Sequence, residues 1–91
     1  MSLPRGWTDE ITDEDEVKEM LEGATGMTDI KVLLQQHLYG TQYLFSSGNN
    51  FYFWNTGAGD GVKVIKPTGK EELWKQMDED FRKVEVEPLD S

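Results

Sequence analysis

His37 is the one histidine in the chain, and an imidazole is the side chain that most readily takes up and returns a proton near neutral pH. Catalysis at this position needs a nucleophile or a second acid–base group delivered by tertiary structure, and Ser46, Ser47 or a carboxylate are the available types. No spacing in the sequence delivers one. A small-molecule or enzymatic site near His37 is therefore an alternative reading, and a histidine packed at the boundary of the core is the simpler one. Gly57-Ala58-Gly59-Asp60-Gly61 has the glycine density of a phosphate-binding loop. Its third glycine comes one residue early for a dinucleotide fingerprint, a strand pattern rather than a helix follows it, and the Gly-Lys-Ser/Thr of a nucleotide-triphosphate loop is absent. A hairpin connection with positive φ angles explains those residues. The acidic run Asp13 to Glu16 lacks the Asp, Asn and Gly spacing of a calcium loop. It fits the first turn of a helix, where free N–H groups favour negative charge. The expectation is a protein without a metal, a cofactor or catalytic residues.

The strongest candidate for function is aromatic. In Phe51-Tyr52-Phe53-Trp54 the alternation of a strand puts both phenylalanines on one face and Tyr52 and Trp54 on the other. Phenylalanine suits a core. Tyrosine and tryptophan combine an apolar body with a hydrogen-bonding tip, as interface residues do. Either helices cover both faces of this sheet or one aromatic face is open to a ligand. The expected contact surface joins Tyr43, Tyr52 and Trp54 with Gly57, Gly59 and Asp60 of the glycine loop.

Two segments carry a family resemblance. Leu3-Pro4-Arg5-Gly6-Trp7 resembles the opening of a WW domain, and Tyr52-Phe53-Trp54-Asn55-Thr56 with Pro67 resembles its second strand and closing proline. The resemblance implies a three-stranded meander that binds proline-rich peptides, with Trp7, Asn55 and Pro67 as its structural buckle. Val64 stands where that family has its ligand-binding tryptophan, which implies an altered groove.

The elements that must position these residues read as follows. Thr12 and Asp15 have capping-box spacing before Val17, Met20, Leu21 and Ala24, which predicts a short amphipathic helix ended by Gly23 or Gly26. Thr28 as a cap, the stripe Ile30, Leu33, Leu34, His37 and Leu38, and Gly40 as a stop predict a second helix. Strands are expected around Tyr43 to Phe45, at Phe51 to Trp54 and at Val62 to Lys66. Thr68 and Glu71 open a third helix with the stripe Leu73, Trp74, Met77, Phe81 and Val84, and Val84 to Pro88 can add an edge strand. The fold class is α+β in the order ααβββα, a three-stranded antiparallel meander packed with two N-terminal helices and one C-terminal helix.

Ninety-one residues suffice for one domain, residues 1–91, with 1–11 and 86–91 read as flexible ends. Eighteen acids against nine bases give a net charge of −9. Residues 1–29 carry −7, 30–67 carry +2 and 68–91 carry −4. This potential repels nucleic acid and anionic lipid and attracts a basic partner. No apolar run spans a membrane, and the lack of cysteine suits a reducing cytoplasmic or nuclear compartment. These features together predict a small acidic intracellular module, monomeric or homodimeric, that binds another protein of basic or proline-rich character without catalysis. An acidic decoy for a nucleic-acid-binding protein is the second alternative, and it requires the carboxylates of both flanking segments to line one face.

Overall fold

The computed structural model describes residues 3–37, 40–57, 59, 61–66 and 69–89. Val17 and Leu21, one helical turn apart, are the buried residues of α1, Glu14–Thr25. Gly26 ends the helix in the left-handed conformation, with its N–H on the carbonyl of Glu22. The cap at the start is Asp13, at φ 53° and without a side-chain cap bond, so the Thr12 capping box does not form.

The next element corrects the expected order. Ile30–His37 is a strand, β1, and not a helix. It pairs antiparallel with β2, Thr41–Ser47, and the register shifts between Val32 and Leu34. Val32 lies opposite Phe45 and Leu34 opposite Leu44, which leaves Leu33 as the extra residue of a β-bulge. Ile30 and Val32 face one side of the sheet, whereas Leu34 beyond the bulge faces the other. The bulge thus places apolar residues at 30, 33 and 34, a spacing that a regular strand would not need. Gly40 is not a helix stop. It sits at φ 105° before β2, and a Cβ there would lie 3.0 Å from the Cα of Gly57.

The remaining strands are β3, Asn50–Asn55, β4, Val62–Ile65, and β5, Val86–Pro88. All five pair antiparallel in the order β1-β2-β3-β4-β5. The chain is therefore an α+β domain built on a five-stranded sheet, in place of the expected three-stranded meander. Between β4 and β5 run α2, Lys70–Asp80, and a 3-10 turn, Phe81–Lys83. Thr68 and Pro67 lie outside the described residues, so the capping box expected at Thr68 and the closing proline of the WW resemblance have no place in this description.

Side-chain alternation divides the sheet into two covered faces. Leu34, Leu44 and Ile65 pack with Leu73, Trp74 and Met77 of α2, and Phe51 and Phe53 join them. On the opposite face Val32, Tyr43, Phe45, Tyr52 and Val62 pack with Val17 and Leu21 of α1. The two helices consequently lie on opposite sides of the sheet. The N-terminal segment ties both layers together along the free edge of β1. Trp7 meets Phe53 and Phe81 edge-on at centroid distances of 6.3 and 5.4 Å, Thr8 exchanges two 2.9 Å backbone bonds with Gln35, and Ile11 packs on the α1 side. Residues 3–11 thus run along the sheet edge, and Val86 to Pro88 form the last strand. That edge is short, acidic and ends in proline, features that discourage further strand pairing. Among the described residues no helix is long and apolar enough to cross a membrane.

Candidate functional site

The covered α1 face changes the status of the aromatic strand. Tyr52 and Tyr43 retain only 9% and 8% exposure, and Trp54 is half-buried against the same cluster. Phe45 stacks on Tyr52 at 5.6 Å. Tyr52 and the body of Tyr43 therefore belong to the core beneath α1, and the open aromatic face expected of them is not present. The reason lies in composition: a 91-residue chain must use its aromatics to fill both sides of a sheet.

One end of the sheet still gathers several of the expected residues. His37 pairs with Thr41, Tyr43 with Trp54 and Gln42 with Asn55, so these residues share the end where β1 turns into β2 and β3 leaves for β4. The glycine loop folds back onto that turn. Thr56 binds the Thr41 carbonyl through its N–H and its hydroxyl at 3.0 and 2.8 Å, and the Gly57 N–H donates to Asn55 Oδ1 at 3.0 Å. Gly57 and Gly59 are exposed there, and Asp60 lies outside the described residues.

At this end, between the first half of α1 and the β1–β2 pair, opens a cleft of about 460 Å3 lined by Thr12, Asp13, Glu16, Val17, Met20, Gln35, His37 and Tyr43. α1 covers β1 and β2 with Val17 and Leu21, while the turn preceding Val17 stands over more polar residues of the sheet. Gln35 occupies the floor at 3% exposure, and its Nε2 donates to His37 Nε2 at 3.2 Å. That direction requires His37 Nε2 to be an acceptor. The imidazole then carries its proton on Nδ1, which lies 3.1 Å from Thr41 Oγ1 and donates to it.

Two oxygens in the cleft are uncommitted. Neither the Tyr43 hydroxyl nor Gln35 Oε1 has a hydrogen-bond partner among the described residues. Neither is sealed away from water, since no enclosed side-chain polar atom lacks a partner. Both residues line the cleft, and both oxygens keep contact with water. Burial of the ring around it raises the Tyr43 phenol above its ordinary value. The hydroxyl therefore stays protonated and can both donate and accept.

The rim is acidic. Asp13 and Glu16 belong to a helical segment in which Glu14, Asp15, Glu16, Glu19 and Glu22 face a single lysine. On the other side of the sheet α2 carries five acids and two lysines. The carboxylates of the two helices thus lie on opposite sides of the sheet. The serines near His37 in sequence are not near it in space. Ser46 and Ser47 pair with Lys31 and Ile30 at the far end of β1, and Ser47 Oγ donates to the Thr28 carbonyl. Among the described residues no group of three or more metal-ligating side chains converges.

Comparison with protein-family models, curated proteins and solved structures finds no match to this chain. Of the residues expected at a contact surface from the sequence, Tyr43 lines this cleft, and Gln35, Asp13, Glu16 and Met20, which were not expected there, line it too. The one signal for Gln35 was the pair Gln35-Gln36 within an otherwise apolar run, where a buried amide implies a dedicated partner.

Proposed function

We propose that the protein is a non-catalytic protein-binding domain that receives a basic segment of another protein at the cleft between α1 and the β1–β2 pair. The observation that supports this reading is the composition of the cleft: carboxylates of Asp13 and Glu16 at the rim, and the side chains of Val17, Met20 and Tyr43 as its apolar walls. An acidic rim over apolar walls suits a long cationic side chain, whose charge meets the rim and whose methylenes meet the wall. The remaining acids of α1 extend the same negative field, which raises the rate of encounter with a basic segment more than its final affinity. The exposed Gly57 and Gly59 offer backbone groups to the flanking residues of such a segment.

The test is binding of a capped peptide containing alternating arginine and lysine, measured by calorimetry at two salt concentrations. Asp13→Asn with Glu16→Gln should weaken binding about thirtyfold, taking both exposed pairs at the upper end of their range of about 1 kcal/mol each. A control pair on the opposite face, Glu72→Gln with Glu79→Gln, should leave it within about twofold. Equal losses from both pairs would mean non-specific attraction to an acidic surface and would remove the cleft from the account.

A further inference from the structure

We infer that the cleft recognises an arginine side chain of the partner protein, its guanidinium held between the uncommitted oxygens of Tyr43 and Gln35 and the carboxylates of Asp13 and Glu16. The inference rests on the protein-binding reading above and names the group that the site selects. Four observations carry it. Tyr43 is 8% exposed and lines the cleft, yet its hydroxyl has no partner among the described residues and keeps contact with water. Gln35, 3% exposed, is fixed by the bond from its Nε2 to His37, which leaves its Oε1 as a second acceptor in the same space. The carboxylates at the rim come from residues one helical turn apart in sequence, so acceptors stand on two sides of the cleft. Finally, Val17 and Met20 supply apolar wall, and Met20 is 40% exposed as though awaiting cover.

The acceptors decide between the two basic side chains. Oxygens on the floor and oxygens on the rim have to be met together, and a planar guanidinium presents five N–H donors in fixed directions. An ammonium is compact and strongly hydrated, and it would have to shed water against an apolar wall to reach the floor. The Tyr43 ring adds a face or edge on which a guanidinium can lie. His37 acts as a positioning residue. By accepting from Gln35 Nε2 it keeps the amide turned so that Oε1, not the NH2 group, looks into the cleft.

The inference is tested with three capped nine-residue peptides of Gly and Ser that carry one central arginine, lysine or citrulline, the last being a neutral isostere. Binding is followed by shifts of the Met20 methyl and the Gln35 side-chain amide in the intact protein, with free arginine as a fourth probe. The arginine peptide should move both signals and bind at least tenfold more tightly than the lysine peptide, and citrulline should leave them unmoved. Tyr43→Phe, which keeps the ring and the packing, should weaken the arginine peptide about fivefold, the range of one net hydrogen bond. Equal affinity for lysine and arginine, or an unchanged Tyr43→Phe variant, would overturn the guanidinium assignment and leave the basic-partner reading standing. Failure of both cationic peptides to move the cleft signals would overturn the two together. Free arginine carries an α-carboxylate that the acidic rim repels. If it bound as tightly as the peptide, the site would be one for a small molecule and the protein partner would be withdrawn.

Discussion

Replacing Trp7 with alanine should lower the stability of the domain by about 3 kcal/mol, the lower end of the range for removing a buried tryptophan. The indole is 7% exposed and meets Phe53 and Phe81 edge-on at 6.3 and 5.4 Å. Each such aromatic pair contributes about 0.5–1.5 kcal/mol beyond the area it buries. The lower end applies because the N-terminal segment lies along the sheet edge, where two backbone bonds join Thr8 to Gln35. Without the indole the segment can peel away, so water enters and no empty cavity has to be sustained. Small domains have only about 5–15 kcal/mol of stability, so the loss is large. Urea unfolding followed by far-UV circular dichroism measures it, and the midpoint should fall, with a slightly smaller slope because the loosened segment is already exposed before unfolding. By heat the same loss lowers Tm by about 12–24 °C. A loss below about 1 kcal/mol would show that residues 3–11 do not close the α2 face. The cleft would then lose one of its supports, because Thr8 pairs with the backbone of Gln35, the residue on the cleft floor.

Three further perturbations probe other parts of the molecule. Gly40→Ala combines a positive φ with a Cβ 3.0 Å from the Gly57 Cα, so it should destabilise by about 2 kcal/mol in the same urea assay; a neutral result would mean that the turn and the glycine loop are not pressed together. Burial holds the Tyr43 phenol above its ordinary value, so its contribution to stability is complete below about pH 10 and is lost as pH rises towards the folded value. The Tyr43→Phe variant should lack that alkaline loss, and superimposable alkaline curves would contradict the burial. Asp80 shows the opposite sign. Its carboxylate accepts from the Arg82 side chain and from the Arg82 backbone N–H at 3.2 and 3.1 Å, which lowers its affinity for protons. The resulting stability is present above about pH 4 and lost below it, so the difference between wild type and Asp80→Asn should shrink as pH falls through that range. A pH-independent difference would refute this assignment.

Much of this architecture is legible in single residues, and the failures have identifiable causes. The apolar turn Val17 to Leu21 with Gly26 beyond it reads correctly as α1, because the helix buries only one stripe. Phe51 and Phe53 against Tyr52 and Trp54 reads correctly as a strand with two apolar faces. Leu73, Trp74 and Met77 likewise mark the helix that covers the phenylalanine face. β1 defeats the same reasoning because its bulge at Leu33 moves the apolar residues from one face of the sheet to the other in mid-strand. A period of two with one inserted residue mimics the three-and-four spacing of a helix, and Val32, a β-branched residue, was the contrary signal. Losing β1 to a helix also hid the cleft. Gln35, His37 and Tyr43 share one face only if they lie on paired neighbouring strands, and Asp13 and Glu16 reach them only because α1 crosses above. Those are facts of tertiary packing, and no local pattern encodes them.

The central claim is that a cationic side chain of a partner enters the cleft under the first half of α1. The most direct measurement is an isotope-filtered nuclear Overhauser experiment on the protein saturated with the arginine peptide. Cross-peaks should join the arginine δ-methylene protons to the Met20 methyl and to the Tyr43 ring. Cross-peaks confined to α2, or none from a saturated complex to either residue, would contradict the claim.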